Sequence, residues 1–123
     1  MKRAKAAIYS ATEILAKHMG LRLDGIKRVL ISGGFGTYLD ADNAIKMGLL
    51  PDLPRARFKF IGNSALSGAR QMLLSSEAQK TAEDIAKKIT YFELSVDPQY
   101  MDQYMAALFF PHTDLSRFPT VRF

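Results

Sequence analysis

Apolar residues near the start of the chain recur three or four positions apart, which is the spacing of an amphipathic α-helix. The pattern predicts a helix from about Lys2 to Met19 that ends at Gly20. After a turn at Asp24-Gly25, residues 28–32 form a continuous β-favouring run, which is typical of a buried strand. The apolar positions of the first helix are Ala4, Ala7, Ile8, Ala11, Ile14 and Leu15.

The rest of the pattern predicts two more strands and four more helices. The strands are 58–61 and 91–96, and apolar and polar residues alternate in the latter. The first of these helices spans about 41–47, with Asp40 as its N-cap and Gly48 as its stop. The others are 64–74, 76–89, and a last one that Asp97-Pro98 opens. Helix 64–74 carries Leu66, Ala69 and Leu73 on one face. The two later helices carry residues that we expect to face inward: Ala78, Ala82, Ile85, Ala86, Ile89, Met101, Tyr104, Met105 and Leu108.

Strands that alternate with helices predict an α/β fold. About three strands packed with about five helices make a thin sheet for a self-contained domain. The first helix also has a complete apolar face but no strand before it. Both features suit a chain cut from a larger sheet.

The composition narrows the class of protein. The chain has 123 residues, the length of one domain, and 48% of them are hydrophobic and 24% charged, which excludes a disordered tail, a collagen-like fibre and a coiled coil. The longest apolar stretch, Met105–Phe110, is too short to cross a bilayer, and no signal peptide opens the chain, so we expect a cytoplasmic protein with no membrane partner. Without cysteine, these residues cannot ligate an iron–sulfur cluster by themselves.

The charge gives a weaker indication. Seventeen basic and twelve acidic residues give a net charge of +5, which indicates either an anionic partner or simply a mildly basic soluble surface, and the second interpretation is favoured. The sequence carries no signature of a nucleic-acid-binding fold, so we expect no nucleic-acid partner.

The first predicted strand ends in three glycines within four residues: Gly33, Gly34 and Gly36, with Phe35 between the last two. Glycine allows positive φ and a close approach of the backbone to a ligand. Exposed N–H groups at the carboxyl end of a parallel strand can also hold a phosphate. The spacing matches neither the dinucleotide fingerprint nor the P-loop. A tight structural turn and a ligand site therefore both remain open.

The second predicted strand runs into a helix rich in small residues, Gly62 to Ala69. Asn63 or Ser64 could contact a nucleotide there. Either residue could equally be the N-cap of a helix packed closely on a sheet. The sequence alone does not separate these two interpretations.

Other polar residues give weaker indications of a function. His18 lies near the end of the first helix, where a cation favours the helix dipole. His112 and Asp114 suggest part of a catalytic triad, but no serine nucleophile motif accompanies them. Glu93 and Asp97 are four positions apart, and nothing supports a paired-carboxylate hydrolase. We assign no catalytic residue, and two histidines 94 positions apart give little support for a metal site.

Several segments follow the first helix in a distinctive order. They are Ile26–Asp40 with Val29-Leu30-Ile31-Ser32-Gly33-Gly34-Phe35-Gly36, Ala44–Pro51, Gly62–Ala69, Tyr91–Ser95 and Ala106–Asp114. Their residues and spacing closely resemble the C-terminal end of the reductive activators of corrinoid proteins. Those are ferredoxin-like ATPases that reactivate the cobalt cofactor of methyltransferase systems. The resemblance covers essentially all 123 residues.

The resemblance implies a domain organisation and a set of cofactors. The family has an N-terminal plant-type iron–sulfur domain, a linker region and a C-terminal ATPase domain of the actin-like superfamily of sugar kinases and heat-shock chaperones (ASKHA). It implies that ATP binding or hydrolysis drives electron transfer from the cluster to inactive Co(II) corrinoid. The expected cofactors are ATP with Mg, and an iron–sulfur cluster in the parent protein only. The expected partner is a corrinoid protein.

The resemblance also implies which residues bind the nucleotide. The glycine turn matches the adenosine motif of the superfamily, and the Gly62–Ala69 junction matches its final strand and helix, beside the adenine side of the cleft. The implied cofactor-binding residues are Gly33, Gly34, Phe35, Gly36, Asn63 and Ser64.

Two parts of the family's pattern are missing from this sequence: the Asp-x-Gly-Thr hairpin that helps organise metal and phosphates, and the cluster cysteines. We therefore expect residues 1–123 to be the C-terminal subdomain of an ASKHA-type ATPase domain, a partial ribonuclease H-like fold and a fragment of a longer protein. Because half of the nucleotide cleft is then absent, we expect the chain alone neither to hydrolyse ATP at a useful rate nor to transfer electrons.

Two alternatives stay open. The chain could be a non-catalytic interaction or dimerisation module that docks a corrinoid protein, or forms a homodimer, through the apolar tail Leu115–Phe123 and the helix bearing Tyr100 and Tyr104. Those residues could instead simply close the core. A sugar or acyl kinase shares the superfamily fold, but its substrate base would have to come from outside this chain.

Overall fold

The computed structural model describes residues 1–122, with only the backbone of Phe35 and Gly36. Strands β1 and β2 pair in parallel as a two-stranded sheet, and helices precede, separate and follow them, so the predicted α/β class is confirmed. The elements are α1 (Lys2–His18), β1 (Val29–Ile31), α2 (Gly34–Tyr38), α3 (Ala41–Lys46), β2 (Phe58–Phe60), α4 (Ser64–Leu74), α5 (Ser76–Lys88) and α6 (Tyr100–Ala106). Single 3₁₀ turns occupy Leu23–Gly25, Arg55–Arg57, Leu94–Val96 and Leu115–Arg117.

The chain divides into two units. The first comprises Met1–Val29, Leu39–Lys59 and the residues from Glu93 onward, and the second comprises Leu30–Tyr38 and Phe60–Phe92. The buried hydrophobic side chains of the described residues all belong to the first unit: Ala6, Tyr9, Ile14, Ala16, Ala44, Ile45, Leu53, Phe58, Ala107 and Phe118.

The core of the first unit forms where α1 meets the C-terminal segment. The Tyr9 ring lies 5.5 Å, between centroids, from both the His112 ring and the Phe118 ring. The predicted apolar stripe of α1 is only partly the buried one, because Ile8 and Leu15 remain 49% and 44% exposed. The C-terminal segment packs against a face of the helix that the apolar spacing did not indicate.

The ends of α1 and α3 follow the sequence prediction. The N–H of Gly20 donates to the carbonyl of Lys17 at 2.9 Å, and that of Leu21 donates to Ala16 at 2.8 Å. This pair of bonds, with φ of +68° at Gly20, is a Schellman motif, which satisfies carbonyls that the helix leaves without partners. The same arrangement ends α3 at Gly48, where φ is +74°.

Lys5 is buried inside the first unit and holds the chain that follows α6. Its ammonium donates to the carbonyl oxygens of Ala107, Phe109 and Pro111, the last two at 2.5 and 2.6 Å. Burial lowers the pKa of Lys5 from 10.5 to about 8. Three carbonyl acceptors stabilise a charge that the apolar surroundings disfavour.

The second unit contains the α4–α5 helical hairpin. Ser75 lies between the helices, and its hydroxyl oxygen accepts the N–H of Ala78 at 3.2 Å as the N-cap of α5. The expectation of a buried stripe on α5 is wrong, because Ile85 and Ile89 are 56% and 72% exposed. Among the residues whose burial is described, none of this unit is fully buried.

The predicted third strand, 91–96, does not form. Its last residues, Leu94–Val96, make a 3₁₀ turn, and the Glu93 carboxylate accepts both the N–H and the hydroxyl of Ser95, at 3.2 and 2.6 Å. Within residues 1–122 the sheet consists of β1 and β2. Alternating hydrophobicity predicts a strand only where a neighbouring strand is available to pair, and the side-chain bonds of Glu93 favour a turn instead.

The last helix also differs from the prediction. It begins at Tyr100 rather than directly after Asp97, whose side chain accepts the N–H of Gln99 at 2.8 Å in the preceding turn. Met101 and Met105, expected to face inward, are 61% and 53% exposed. None of the helices within residues 1–122 has the length and hydropathy needed to span a membrane.

Candidate functional site

The two glycine junctions lie side by side in the second unit. The N–H of Gly33 donates to the carbonyl of Gly62 at 2.8 Å, and the N–H of Ile61 donates to Ile31 at 2.9 Å just before it. Because β1 and β2 are parallel, both strands end at the same edge of the sheet, which is where α/β proteins place ligands. The structure therefore brings together the two segments that the sequence singled out separately.

Backbone geometry explains why two of these positions are occupied by glycine. Gly33 has a φ of +80° and Gly62 a φ of +64°, and side chains rarely adopt such values. A Cβ on either residue would meet no atom within 4 Å, so the backbone conformation requires glycine while the packing does not. At Gly34 neither reason applies, because its Cβ would also point into open space and its φ is not in the left-handed region.

The segment after Gly33 is a short helix, where the sequence predicted a glycine-rich turn. Helix α2 begins at Gly34, so a single left-handed residue makes the turn out of β1. The predictions for Phe35 and Gly36 as nucleotide contacts concern side chains and surroundings that lie outside the described residues.

The interpretation of Asn63 as an N-cap is confirmed. Its side-chain oxygen accepts the N–H of Leu66 at 3.0 Å at the start of α4, and Ser64 is the first residue of the helix. Both side chains are exposed. The cap uses the acceptor side of the Asn63 amide, so it does not require the amide's donor side. Contact of Asn63 or Ser64 with a nucleotide stays a prediction.

The chemistry that this edge can perform follows from its residue types. Residues 30–38 and 60–69 contain no charged side chain, so they offer neither a carboxylate for magnesium nor a general base. They do offer open backbone, an amide and hydroxyls, which fit the uncharged nucleoside part of a nucleotide. In the described part of the chain, no group of three or more His, Asp or Glu residues could hold a metal ion.

A cavity of about 590 Å³ lies in the first unit between α1 and the C-terminal segment. Glu13 and Arg117 form an ion pair on its wall, and Tyr9 also lines the cavity. The second carboxylate oxygen of Glu13 is buried without a partner in the described structure. No sequence pattern indicated this cluster, because Glu13 and Arg117 are 104 positions apart.

His112 and Asp114 do not form part of a triad. The Nδ1 atom of His112 accepts the backbone N–H of Asp114 at 2.9 Å, while the Asp114 carboxylate binds Ser116 and Arg117. Burial lowers the pKa of His112, which is only 4% exposed. A neutral imidazole in aromatic surroundings is a packing residue.

The C-terminal tail and α6 were the candidate docking surfaces of the alternative interpretation. Phe118 is 2% exposed against Tyr9, so this part of the tail closes the core. Tyr100 and Tyr104 are half-buried, with ring centroids 6.2 Å apart. Leu115 of the same tail is 53% exposed, so docking of a partner on the tail or on α6 stays a prediction.

Residues 1–122 match the family described as the C-terminal domain of RACo, the ASKHA domain. The chain is similar to a corrinoid activation enzyme, RamQ, from Eubacterium limosum, with 37% identity over 83% of this chain and 17% of that protein. It is 32% identical to a [Co(II) methylated amine-specific corrinoid protein] reductase from Methanosarcina barkeri, over 72% of this chain and 16% of that protein.

A solved structure, titled reductive activator for corrinoid, iron-sulfur protein, has the same fold. Its TM-score is 0.90 and its identity 48%, over 98% of this chain and 19% of that one. The chain therefore spans about a fifth or less of the length of the proteins that it matches.

Proposed function

Because the chain belongs to the family of the RACo C-terminal ASKHA domain, we propose that it is the nucleotide-binding C-terminal subdomain of an ATP-dependent reductive activator that acts on a corrinoid protein in the cytoplasm. The complete activator couples ATP binding or hydrolysis to electron transfer from an iron–sulfur cluster to Co(II). The cluster lies outside these 123 residues, which contain no cysteine. The names of the relatives support the corrinoid partner.

The observation that carries the proposal is the adjacency of the two glycine junctions. A hydrogen bond of 2.8 Å joins Gly33 to Gly62 at the carboxyl edge of the sheet. Gly34 has no conformational or packing reason to be glycine within the described residues, and a bound ligand supplies such a reason. The absence of charge from residues 30–38 and 60–69 further indicates the nucleoside end of ATP rather than its phosphates.

Each residue then has a limited role. Gly33 and Gly34 bring the backbone close to the nucleoside, with Phe35 and Gly36 continuing that surface, and the Asn63 amide and the Ser64 hydroxyl donate hydrogen bonds to it. ATP with Mg supplies the phosphoryl-transfer chemistry, whose charged ligands must come from the rest of the ATPase domain. This division supports the prediction that the chain alone does not hydrolyse ATP.

Nucleotide affinity tests the proposal. We would build a chimera in which this chain replaces the matching fifth of the solved relative, and measure Mg-ATP binding by calorimetry. Gly33→Ala is expected to weaken binding about tenfold, since a Cβ intrudes where the nucleoside lies. Gly20→Ala is the matched control, because Gly20 has a similar φ of +68° and equally open surroundings.

The control separates strain from ligand contact. Both substitutions place alanine in the left-handed region, so both lower the free energy of unfolding by about 1–2 kcal/mol. Only Gly33→Ala should alter nucleotide affinity. Equal affinities for the two variants, together with unchanged binding by Gly34→Asp, would refute the nucleotide site.

A further inference from the structure

Tyr38 is a large aromatic residue that the described chain leaves almost entirely open to solvent. It is the last residue of α2 and is 90% exposed. Tyrosine rings usually supply contact area in cores and binding sites. A single exposed apolar residue needs no explanation by itself, so the position of Tyr38 in the fold decides what its ring can do.

The position of Tyr38 directs its ring toward Gly34. The two residues are four positions apart in α2, and residues with this spacing lie one above the other on the same face of a helix. A helical side chain also leans back over the turn that precedes its own Cα. The Tyr38 ring therefore extends along α2 toward Gly34, which has no side chain to occupy that space.

A gap remains between the Tyr38 ring and Gly34. A Cβ on Gly34 would meet no atom within 4 Å, so the ring itself stays farther than that from the Cβ position. The φ of Gly34 lies outside the left-handed region, and neither conformation nor packing within the described residues requires glycine there. A glycine beside an exposed ring leaves room for a flat group to lie against the ring and the backbone together.

The residue types around this gap favour an uncharged, flat ligand group. Residues 30–38 and 60–69 carry no charged side chain. Stacking on an aromatic ring requires no charge, because every nucleic-acid base has a π face. At the adjacent junction the cap leaves the donor side of the Asn63 amide unused, and an amide donor suits the polar edge of a base.

We propose that the Tyr38 ring stacks on the base of the bound nucleotide and makes the site prefer purine to pyrimidine nucleotides. The two-ring system of a purine offers a larger π surface to stack than the single ring of a pyrimidine. Gly33 and Gly34 cannot supply this preference, because a missing Cβ admits any base equally. The inference rests on the proposed function, which assigns the nucleoside to this edge of the sheet but names no residue that selects the base.

Calorimetry on the chimera tests the inference with three probes: Mg-ATP, Mg-CTP and Mg-tripolyphosphate, which has no base. Tyr38→Ala is expected to weaken Mg-ATP binding about tenfold or more, and Mg-CTP binding by a smaller factor. Binding of Mg-tripolyphosphate should not change, because the ring contacts only the base. Tyr38→Phe keeps the ring and should keep the affinity for Mg-ATP.

Tyr38→Trp gives a spectroscopic readout of the same contact. This chain contains no tryptophan, so the substitution adds one indole at the proposed stack. Mg-ATP should quench the added fluorescence, measured against the unmodified chimera, and Mg-tripolyphosphate should not. Phe109→Ala is the matched control, since Phe109 is 60% exposed in the first unit, which contains neither glycine junction, and its loss should leave the affinity for Mg-ATP unchanged.

The outcomes separate this inference from the proposed function. If Gly33→Ala weakens Mg-ATP binding and Tyr38→Ala does not, the nucleotide site stands and the stacking inference is overturned. Equal weakening of Mg-ATP and Mg-CTP binding by Tyr38→Ala would overturn the purine preference. Equal weakening of all three probes would show that the ring supports the fold of the site and does not touch the base. A chimera that does not bind Mg-ATP at all would refute the proposed function and the inference with it.

Discussion

A Cβ placed on Gly48 would lie 2.1 Å from the carbonyl oxygen of Pro111 and 2.9 Å from its Cα. The same Pro111 oxygen accepts a hydrogen bond of 2.6 Å from Lys5. One carbonyl thus links the end of α3, the buried lysine of α1 and the chain after α6. The contact holds the first unit together from three distant parts of the sequence.

Gly48→Ala is expected to lower the free energy of unfolding by about 3 kcal/mol or more, because left-handed strain adds to a clash with rigid backbone. Gly20→Ala has the strain without the clash, since a Cβ there meets nothing within 4 Å, and should lose only about 1–2 kcal/mol. Urea denaturation of both variants measures the difference. Equal losses of unfolding free energy in the two variants would show that the backbone at Pro111 moves away from the added Cβ with little loss of stability.

The lowered pKa of Lys5 predicts that the chain becomes more stable as the pH rises above neutrality. Burial lowers its pKa to about 8 in the folded state, against 10.5 in the unfolded state, so the folded chain binds fewer protons between these values. The free energy of unfolding should therefore rise with pH, by about 2 kcal/mol between pH 7.5 and 9.5. This window stays below the titration of Tyr9, whose pKa burial raises above 10.

Urea denaturation at the two pH values measures that rise. Lys5→Met removes the titrating group and should abolish the rise, although it also destabilises the chain by leaving three carbonyls without their donor. Lys2→Met, at an exposed position of the same helix, should keep the rise in the free energy of unfolding. A rise that survives in Lys5→Met would have to come from another group.

The sequence predicted those features that depend on neighbouring residues. The N-cap Asp40 and the stops at Gly20 and Gly48 were predicted because caps are local hydrogen-bond arrangements. Helix α4 was predicted at about 64–74 for the same reason, with Asn63 or Ser64 as its N-cap, and the structure shows that the cap is Asn63. Strand 91–96 was predicted wrongly, because strand formation requires a pairing partner, which local spacing cannot show.

The site was predictable in part. Each glycine junction was visible as an interruption at a strand end, and parallel pairing explains why Gly33 and Gly62 meet. Buried Lys5 and the Glu13–Arg117 pair were missed, because each binds residues more than a hundred positions away. Inward-facing positions on α5 and α6 were mispredicted for a different reason: an apolar stripe indicates that a helix needs a partner, and does not show that the partner is within the same residues.

Asn63 offers a way to separate helix capping from ligand binding. Asn63→Ala removes the acceptor for the Leu66 N–H and should destabilise the first turn of α4 by about 1 kcal/mol, seen as faster amide exchange there. Asn63→Asp keeps an acceptor and should keep the cap. In the chimera, Asn63→Asp should nevertheless weaken Mg-ATP binding, because the amide donor is lost.

Ser75→Ala serves as the control for Asn63. It removes the corresponding cap of α5, the 3.2 Å bond from the Ala78 N–H, and should speed exchange at the start of α5 without changing nucleotide affinity. If Asn63→Asp binds Mg-ATP as tightly as the unmodified chimera, the donor role assigned to Asn63 is wrong and its function is capping alone.

The contact between His18 and Asp97 predicts an acid-sensitive link between α1 and the turn before α6. Their side chains are 2.7 Å apart, and the hydrogen bond from His18, with a further one from the Gln99 N–H, lowers the pKa of Asp97 below 3.8. A carboxylate with a depressed folded pKa stabilises the chain above pH 3.8, and that stabilisation is lost as pH falls through the folded value. Asp97→Asn should therefore lower stability at pH 6 and make it fall less steeply below pH 3.8 than in the unmodified chain, as followed by urea denaturation. Asp102→Asn, at an exposed position of α6, is expected to leave the acid limb unchanged, so identical acid limbs for Asp97→Asn and the unmodified chain would show that the link does not hold in solution.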